Sequence, residues 1–148
     1  MNAIALRNYL HDHIPLSRAM RVEVADVTAT NVILAAPLAP NINHRDTVFG
    51  GSASAVAILA AWAVLHVRMQ TESIAGRVVI QRNTMEYIRP IATDFTATST
   101  IDDEAAWAKF LSVLRRRQRA RISIAATLFC ESEQAGIFNG EFVAIGAV

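Results

Sequence analysis

Cysteine is almost missing from this sequence. Cys130 is the only one in 148 residues, so an intrachain disulfide is excluded and a reducing compartment is expected. An excess of charge of either sign is missing too: 14 Lys and Arg stand against 13 Asp and Glu, a net charge of +1. That balance argues against a strongly basic nucleic-acid binder. Proline and glycine are sparse, at 4 and 6 residues, and no repeat, low-complexity tract or Gly/Ser-rich linker divides the chain. One domain over residues 1–148 is expected. The stretch MNAIALRNYLHDHIP breaks its apolar start with Arg7, Asn8 and two histidines. This is not a signal-peptide pattern, and the expected location is cytoplasmic.

What is present is apolar. Hydrophobic residues make up 53% of the chain and charged residues 18%, enough for a real core and unlike a disordered segment. From Gly50 to Val67 there is no Asp, Glu, Lys or Arg. A bilayer span takes about 20 apolar residues, but Gly, Ala, Ser and His66 keep this run only modestly hydrophobic. A helix wrapped inside a globular domain is expected here, not a membrane span.

The rest of the chain supplies the wrapping. Residues 2–13 have the pattern of a short amphipathic helix stopped by Pro15. Residues 19–28 alternate, with Met20, Val22 and Val24 opposite Arg21 and Glu23, as in a half-buried strand. Residues 30–36 form a second strand, and a polar loop leads to Gly50-Gly51-Ser52 and the long helix, which runs to about Met69. After Gly76 the period becomes two in VVIQRNTMEYI, DFTATSTI, RISIAATLFC and EFVAIGA. Between the second and third of these, Trp107, Phe110, Leu111 and Leu114 share one helical face, capped by Asp102 or Asp103. Strands of this kind belong in an antiparallel sheet with one face on the core. About six of them with one all-apolar helix imply an α+β, hot-dog architecture, the sheet curled around the helix.

The informative segment is Asn41-Ile-Asn-His-Arg-Asp-Thr-Val-Phe-Gly-Gly-Ser52. Two glycines open a helix, leaving its first N–H groups unobstructed at the positive end of the dipole. A thioester oxyanion or enolate can sit there. Close helix–sheet packing is the plainer reason for a Gly-Gly pair. Asn43, His44, Asp46 and Thr47 all lie within seven residues of the turn. Asn43 is a donor candidate or a turn residue, Asp46 a base or an Asx turn, and His44 a base or a solvated loop residue. Glu86 on the following strand is a further base candidate. Asn83 and Thr84 on that strand read as outward-facing, His66 as a satisfied core residue and Cys130 as core. His11 and His13 are two apart on a helix and cannot share a metal ion; no metal-ligand spacing or phosphate loop is present. Arg115, Arg116, Arg117, Arg119 and Arg121 crowd into seven residues. They form a solvated face or a bidentate phosphate site, and an acidic carrier-protein surface would be steered toward them.

N-x-x-x-T-x-F-G-G-S, an Ala-rich helix with a Trp, and Tyr87-Ile-Arg-Pro90 on the next strand together resemble the YiiD-type thioesterase-like family of the hot-dog superfamily. The resemblance covers nearly the whole chain. It implies an enzyme acting on acyl-CoA or acyl carrier protein. No cofactor is required, since coenzyme A or phosphopantetheine enters as part of the substrate. It also implies a homodimer or higher homo-oligomer, because related sites form between subunits. The phenylacetyl-CoA-type branch has a similar segment, with a His before the glycines and a carboxylate eight residues after the first. This chain has Phe49 and Ile58 at those positions, and no Asp or Glu anywhere from Gly50 to Gln70. Thioester hydrolysis needs a base or an attacking carboxylate. Donors at Asn43, Gly50, Gly51, Ser52 and Thr47 suit a reaction limited by charge stabilisation. The expected reaction is therefore decarboxylation of a malonyl thioester, as some members of that family are regarded as doing, in the service of fatty acid synthesis. Hydrolysis of an acyl thioester is the alternative, and a non-catalytic acyl-thioester binding module is a third.

Overall fold

Asn2 caps the first helix, α1 (Ala3–His13), its Oδ1 accepting the Ala5 N–H at 2.8 Å. The computed structural model describes residues 1–146; Ala147, in the last expected strand segment, and Val148 lie outside the described residues. Pro15 does more than stop α1. Its fixed φ and missing N–H suit a first helical position, and the one-turn helix α2 (Pro15–Ala19) begins on it. Arg21 then turns with φ 54°, so β1 (Glu23–Val27) starts four residues later than the alternation suggested. β2 (Asn31–Ala36) follows.

The central helix α3 (Gly50–Thr71) buries Ala53, Val56, Ala57, Ala60, Ala61 and Val64 among others, leaving no polar face. It is long and apolar enough by composition to cross a membrane, yet here the sheet and α1 surround it. β3 (Arg77–Tyr87), β4 (Phe95–Thr100), α4 (Glu104–Arg117), β5 (Arg119–Cys130) and β6 (Glu133–Ile145) complete the chain. The strands form one sheet in the order β1-β2-β4-β5-β6-β3, antiparallel throughout. This is the hot-dog arrangement. Asp103, not Asp102, caps α4, accepting the Ala106 N–H at 2.9 Å. Cys130 is buried, with its Sγ 3.0 Å from the Thr93 hydroxyl.

Two side-chain systems fix helices to α3. At its C-terminal end Arg68 is buried, with Nε 2.9 Å from Glu72, Nη2 2.6 Å from Glu104 and its guanidinium 4.4 Å above the Trp107 ring. Trp107 Nε1 donates back to Glu72 at 3.2 Å, so α4 is held by charge and stacking together. Burial alone would lower the Arg68 pKa, but the hydrogen bonds it donates to Glu104 and Glu72, with their negative charge, outweigh it and raise it. On the α1 side an aromatic stack runs Trp62, His66, Tyr9, His13, with centroid spacings of 4.7, 4.7 and 4.1 Å. His66 differs from the satisfied core residue expected from sequence: its Nε2 is buried without a hydrogen-bond partner.

Burial, and then the nearby His13 charge, push the His66 pKa below its ordinary 6.5. The unfolded chain therefore binds this proton more readily, and His66 contributes stability above pH 6.5 that is lost as the pH falls below it. Thermal melts from about pH 7.5 down to about pH 5.5 should show a declining Tm that His66→Phe, which keeps the stack, makes flatter. An equally steep decline in the variant would remove His66 as its cause.

Candidate active site

The loop before α3 is closed by its own side chains. An isolated bridge pairs Ile42 with Val48. Inside it, Asn43 Oδ1 accepts the N–H of Arg45 (2.8 Å) and of Thr47 (3.2 Å), and Nδ2 donates to Thr47 Oγ1 (3.0 Å). Asn43 and Thr47 thus hold each other in an Asx-type turn. Asp46 takes a positive φ of 60° at the turn's tip, and His44 and Asp46 are both exposed.

Gly50, Gly51 and Ser52 form the first turn of α3. The N-cap is Phe49, which supplies no side-chain hydrogen bond, and the turn contains no acid. Positive helix-end potential is left without a protein counter-charge. Gly50 is tied to β3, its carbonyl accepting the Tyr87 hydroxyl at 2.9 Å. A β-carbon at Gly51 would meet the exposed Phe49 ring, which would have to shift. Gly51 and Ser52 line a cavity of about 310 Å³ with Asn41, Phe49 and Ala55. It adjoins a second cavity of about 410 Å³ through Leu16, Met20 and Ala55. That larger space is walled by Ile58, Leu59 and Trp62 of α3 and by Val78, Ile80 and Phe142 of the sheet. Its lining side chains are those of apolar residues.

Of the residues singled out in the sequence, Gly51 and Ser52 meet in one cavity, and Gly50, next to them in the chain, is tied to Tyr87. Asn43 and Thr47 spend their polar groups on the loop, and His44 and Asp46 face solvent. Glu86 alternates with Tyr87 and so points away from Gly50; Asn83 and Thr84 are exposed. The arginine run is elsewhere. Arg115, Arg116 and Arg117 end α4, and Arg119 and Arg121 open β5, where Arg119 pairs with Ile145 and Ile145 with Arg77. Arg77 follows the C-terminal end of α3, so the run lies roughly 30 Å from Gly50 along a 22-residue helix. The ion pairs of the described residues leave all five arginines unpaired. Sequence reasoning missed Asn41, which is buried in the cavity wall; a lone Asn beside Pro40 reads as a turn residue. No group of three His, Cys, Asp or Glu among the described residues could hold a metal ion.

An antiparallel sheet around one apolar helix, with an uncapped helix start opening onto an apolar cavity, defines a hot-dog protein of the thioesterase type. Residues 3–146 match the family YiiD_C, described as "Putative thioesterase (yiiD_Cterm)", and the chain belongs to that family. It is an enzyme acting on acyl thioesters. A protein of unknown function from Chlorobaculum tepidum TLS is 31% identical, with a TM-score of 0.92 over 98% of this chain and 94% of that one. A "putative thioesterase" from Shewanella oneidensis is 27% identical, with a TM-score of 0.86 over 97% and 96%. The PaaI protein of the E. coli phenylacetic acid degradation operon is 14% identical with a TM-score of 0.70 over 99% and 95%, a likeness of fold alone.

Because Asn43 anchors the loop through several hydrogen bonds, Asn43→Ala should cost about 1–2 kcal/mol in urea unfolding. Asn43→Asp, which keeps the acceptor oxygens, should cost less. Equal losses in the two variants would show that the acceptor role is not what holds the turn.

Proposed function

We propose that the chain decarboxylates a malonyl thioester, carried on coenzyme A or on acyl carrier protein. The thioester oxygen accepts N–H groups of the first turn of α3, at Gly51 and Ser52. The bond between the methylene carbon and the carboxylate breaks, and its electron pair becomes an enolate with its charge on that oxygen. CO₂ leaves, and a solvent proton adds to carbon. The acetyl thioester that remains is a starter unit for fatty acid synthesis. The observation that carries this reading is a helix end rich in donors with no acid in its first turn: α3 has none before Glu72, and His44, Asp46 and Glu86 are exposed to solvent. Helix-end donors meet the electrostatic demand of enolate formation.

Hydrolysis of an aliphatic acyl thioester is favoured by one observation, the apolar cavity of about 410 Å³, which is more than a malonyl group needs. Purified protein incubated with malonyl and octanoyl thioesters, scored for CO₂ and for free thiol, divides the two. The expected result is CO₂ with no thiol release, falling at least 10-fold in Gly51→Ala, where the new methyl competes with Phe49 beside the donors. Free thiol without CO₂ favours hydrolysis, and coenzyme A binding without turnover favours a binding module.

The working unit is a homodimer built on β3. This edge strand is exposed along most of its length, with Val79 50% and Ile80 36% accessible, and an unpaired edge of eleven residues is a template for another strand. Among antiparallel registers about a twofold axis, the one with Arg77 opposite Glu86 of the second copy places opposite charges side by side. The same pairing brings the arginine-rich end of one copy toward the Tyr87 end of the other, where Arg115, Arg116, Arg117 and Arg119 would meet coenzyme A or carrier phosphates. Sedimentation of the wild type should give a dimer and that of Ile80→Lys a monomer; a monomeric wild type would remove this arrangement.

A further inference from the structure

His66 lies in the middle of the aromatic stack, its ring 4.7 Å from those of both Trp62 and Tyr9. His13 stacks on Tyr9 in turn at 4.1 Å. The His66 Nε2 is buried and has no hydrogen-bond partner. An imidazolium carries an N–H on each ring nitrogen, so charging His66 in place buries a donor with nothing to accept it. Among the described residues no carboxylate lies within ion-pair distance of His66. On α1, Arg7 is paired with Glu23, Asp12 with Arg18, and His11 Nε2 bonds to the Val22 carbonyl; Tyr9 and His13 are what that helix stacks toward His66. On α3, Arg68 is engaged by Glu72 and Glu104. On β3, the Val78 carbonyl accepts the Trp62 Nε1–H at 3.1 Å, and Arg77 beside it is exposed. The faces of Trp62 and Tyr9 attract a cation; burial, and then the His13 charge, act the other way and hold the His66 pKa below its ordinary 6.5.

The stack ends where the larger cavity begins. Trp62 belongs to both, and Ile14, Leu16 and Met20 of the α1–α2 corner line the same cavity of about 410 Å³. His13 is the last residue of α1, and Ile14, next to it, ends α1 and caps α2. Leu6 and Leu10 are fully buried and anchor α1, whereas His13, Pro15 and Leu16 beyond them are exposed. The corner is thus the part of this helix pair that can lift without unseating the core, and lifting it brings water to the His66 Nε2. We propose that His66 is a proton switch on the larger cavity: neutral, it lets the α1–α2 corner close on an uncharged apolar occupant; charged, it lifts the corner and releases that occupant. The closed corner gives the occupant three of its apolar contacts, so occupant and proton oppose each other's binding. The switch goes beyond the reaction proposed above and holds for either thioester reaction, since it concerns a wall of the cavity and not the bond that breaks.

Amide hydrogen exchange on the whole chain tests the movement, and calorimetry with 1-octanol, an uncharged apolar probe, tests the release. From about pH 7.5 to about pH 5.5, after correction for intrinsic exchange rates, amides from His11 to Met20 should lose at least about 10-fold in protection while those of β5 and β6 keep theirs. Octanol should bind about 3- to 30-fold more weakly at the lower pH, since one linked proton changes affinity by at most about 10-fold per pH unit. In His66→Phe, which keeps the stack and cannot charge, both changes should shrink below about 2-fold. Unchanged protection from His11 to Met20, protection lost throughout the sheet as well, or octanol affinity equal at both pH values or absent at both, overturns the proposal. His13→Phe is the second variant. It keeps His66 and removes the charge that opposes its protonation, so the loss of protection should begin at higher pH. An unmoved onset, or no transition at all, overturns the assignment to His66, and this variant decides if His66→Phe does not fold. No turnover is measured, so failure of the decarboxylation reading leaves the test intact, and a fixed corner leaves that reading intact.

Discussion

The structure depends on burying a helix that has no polar face. Each apolar side of α3 left in water would cost about 25 cal/mol per Å², so the chain must supply cover in every direction. β2, β4, β5, β6 and β3 provide most of it from one curved sheet. α1 covers another side through the Tyr9, His66 and Trp62 stack. The cover is incomplete beside Ala55, Ile58, Leu59 and Trp62, where the α1–α2 corner and β3 stand apart and leave the larger cavity. This cavity is thus the remaining gap in the coat of α3.

The two ends of the same helix do different work. At the C-terminal end, where the dipole favours cations, Arg68 sits under Trp107 and between two carboxylates, all of its charge matched inside the protein. At the N-terminal end there is neither a side-chain cap nor an acid. A helix whose only purpose was stability would gain roughly 0.5–2 kcal/mol from a Ser, Thr, Asp or Asn at the position that Phe49 occupies. The unmatched end is therefore a stability loss placed at the mouth of a cavity. This is the expected signature of a site whose counter-charge arrives with the substrate.

Much of the architecture was legible because it is periodic. The all-apolar run from Gly50 and the alternation after Gly76 fixed a sheet around a helix. What misled was local. β6 was expected from residue 141, but it begins at Glu133. Gly136 and Gly140 lie inside the strand where packing is close: a β-carbon at Gly136 would lie 2.6 Å from Met85 Cε, and one at Gly140 would lie 2.7 Å from Phe138. The true turn is Glu131-Ser132, both at positive φ without glycine. At the candidate site, the place of Gly51 and Ser52 at the start of a helix was legible in the sequence. Asn41 was not, since its meaning comes from carbonyls at Met20 and Pro37 that only the folded chain brings to it. The place of the arginine run, at the far end of α3 from Gly50, was hidden for the same reason.

Magnitudes decide how the missing base should be read. A positioned proton-transfer group contributes about 10²–10⁴-fold, and a single oxyanion donor contributes about 10²–10³-fold. A hydrolase that kept the second and lost the first would give up a large share of its rate, because water must be deprotonated as it attacks. Breaking a carbon–carboxylate bond requires no deprotonation; its cost lies in the charge that gathers on the thioester oxygen. The donor set at the start of α3 addresses that cost, and the apolar walls around it help, since they stabilise CO₂ and the acyl group better than they do a carboxylate. Weakening the bound carboxylate relative to the enolate is differential binding of the kind that raises kcat rather than merely tightening substrate. On the decarboxylation reading proposed above, the missing acid on α3 is the feature that sets the chemistry.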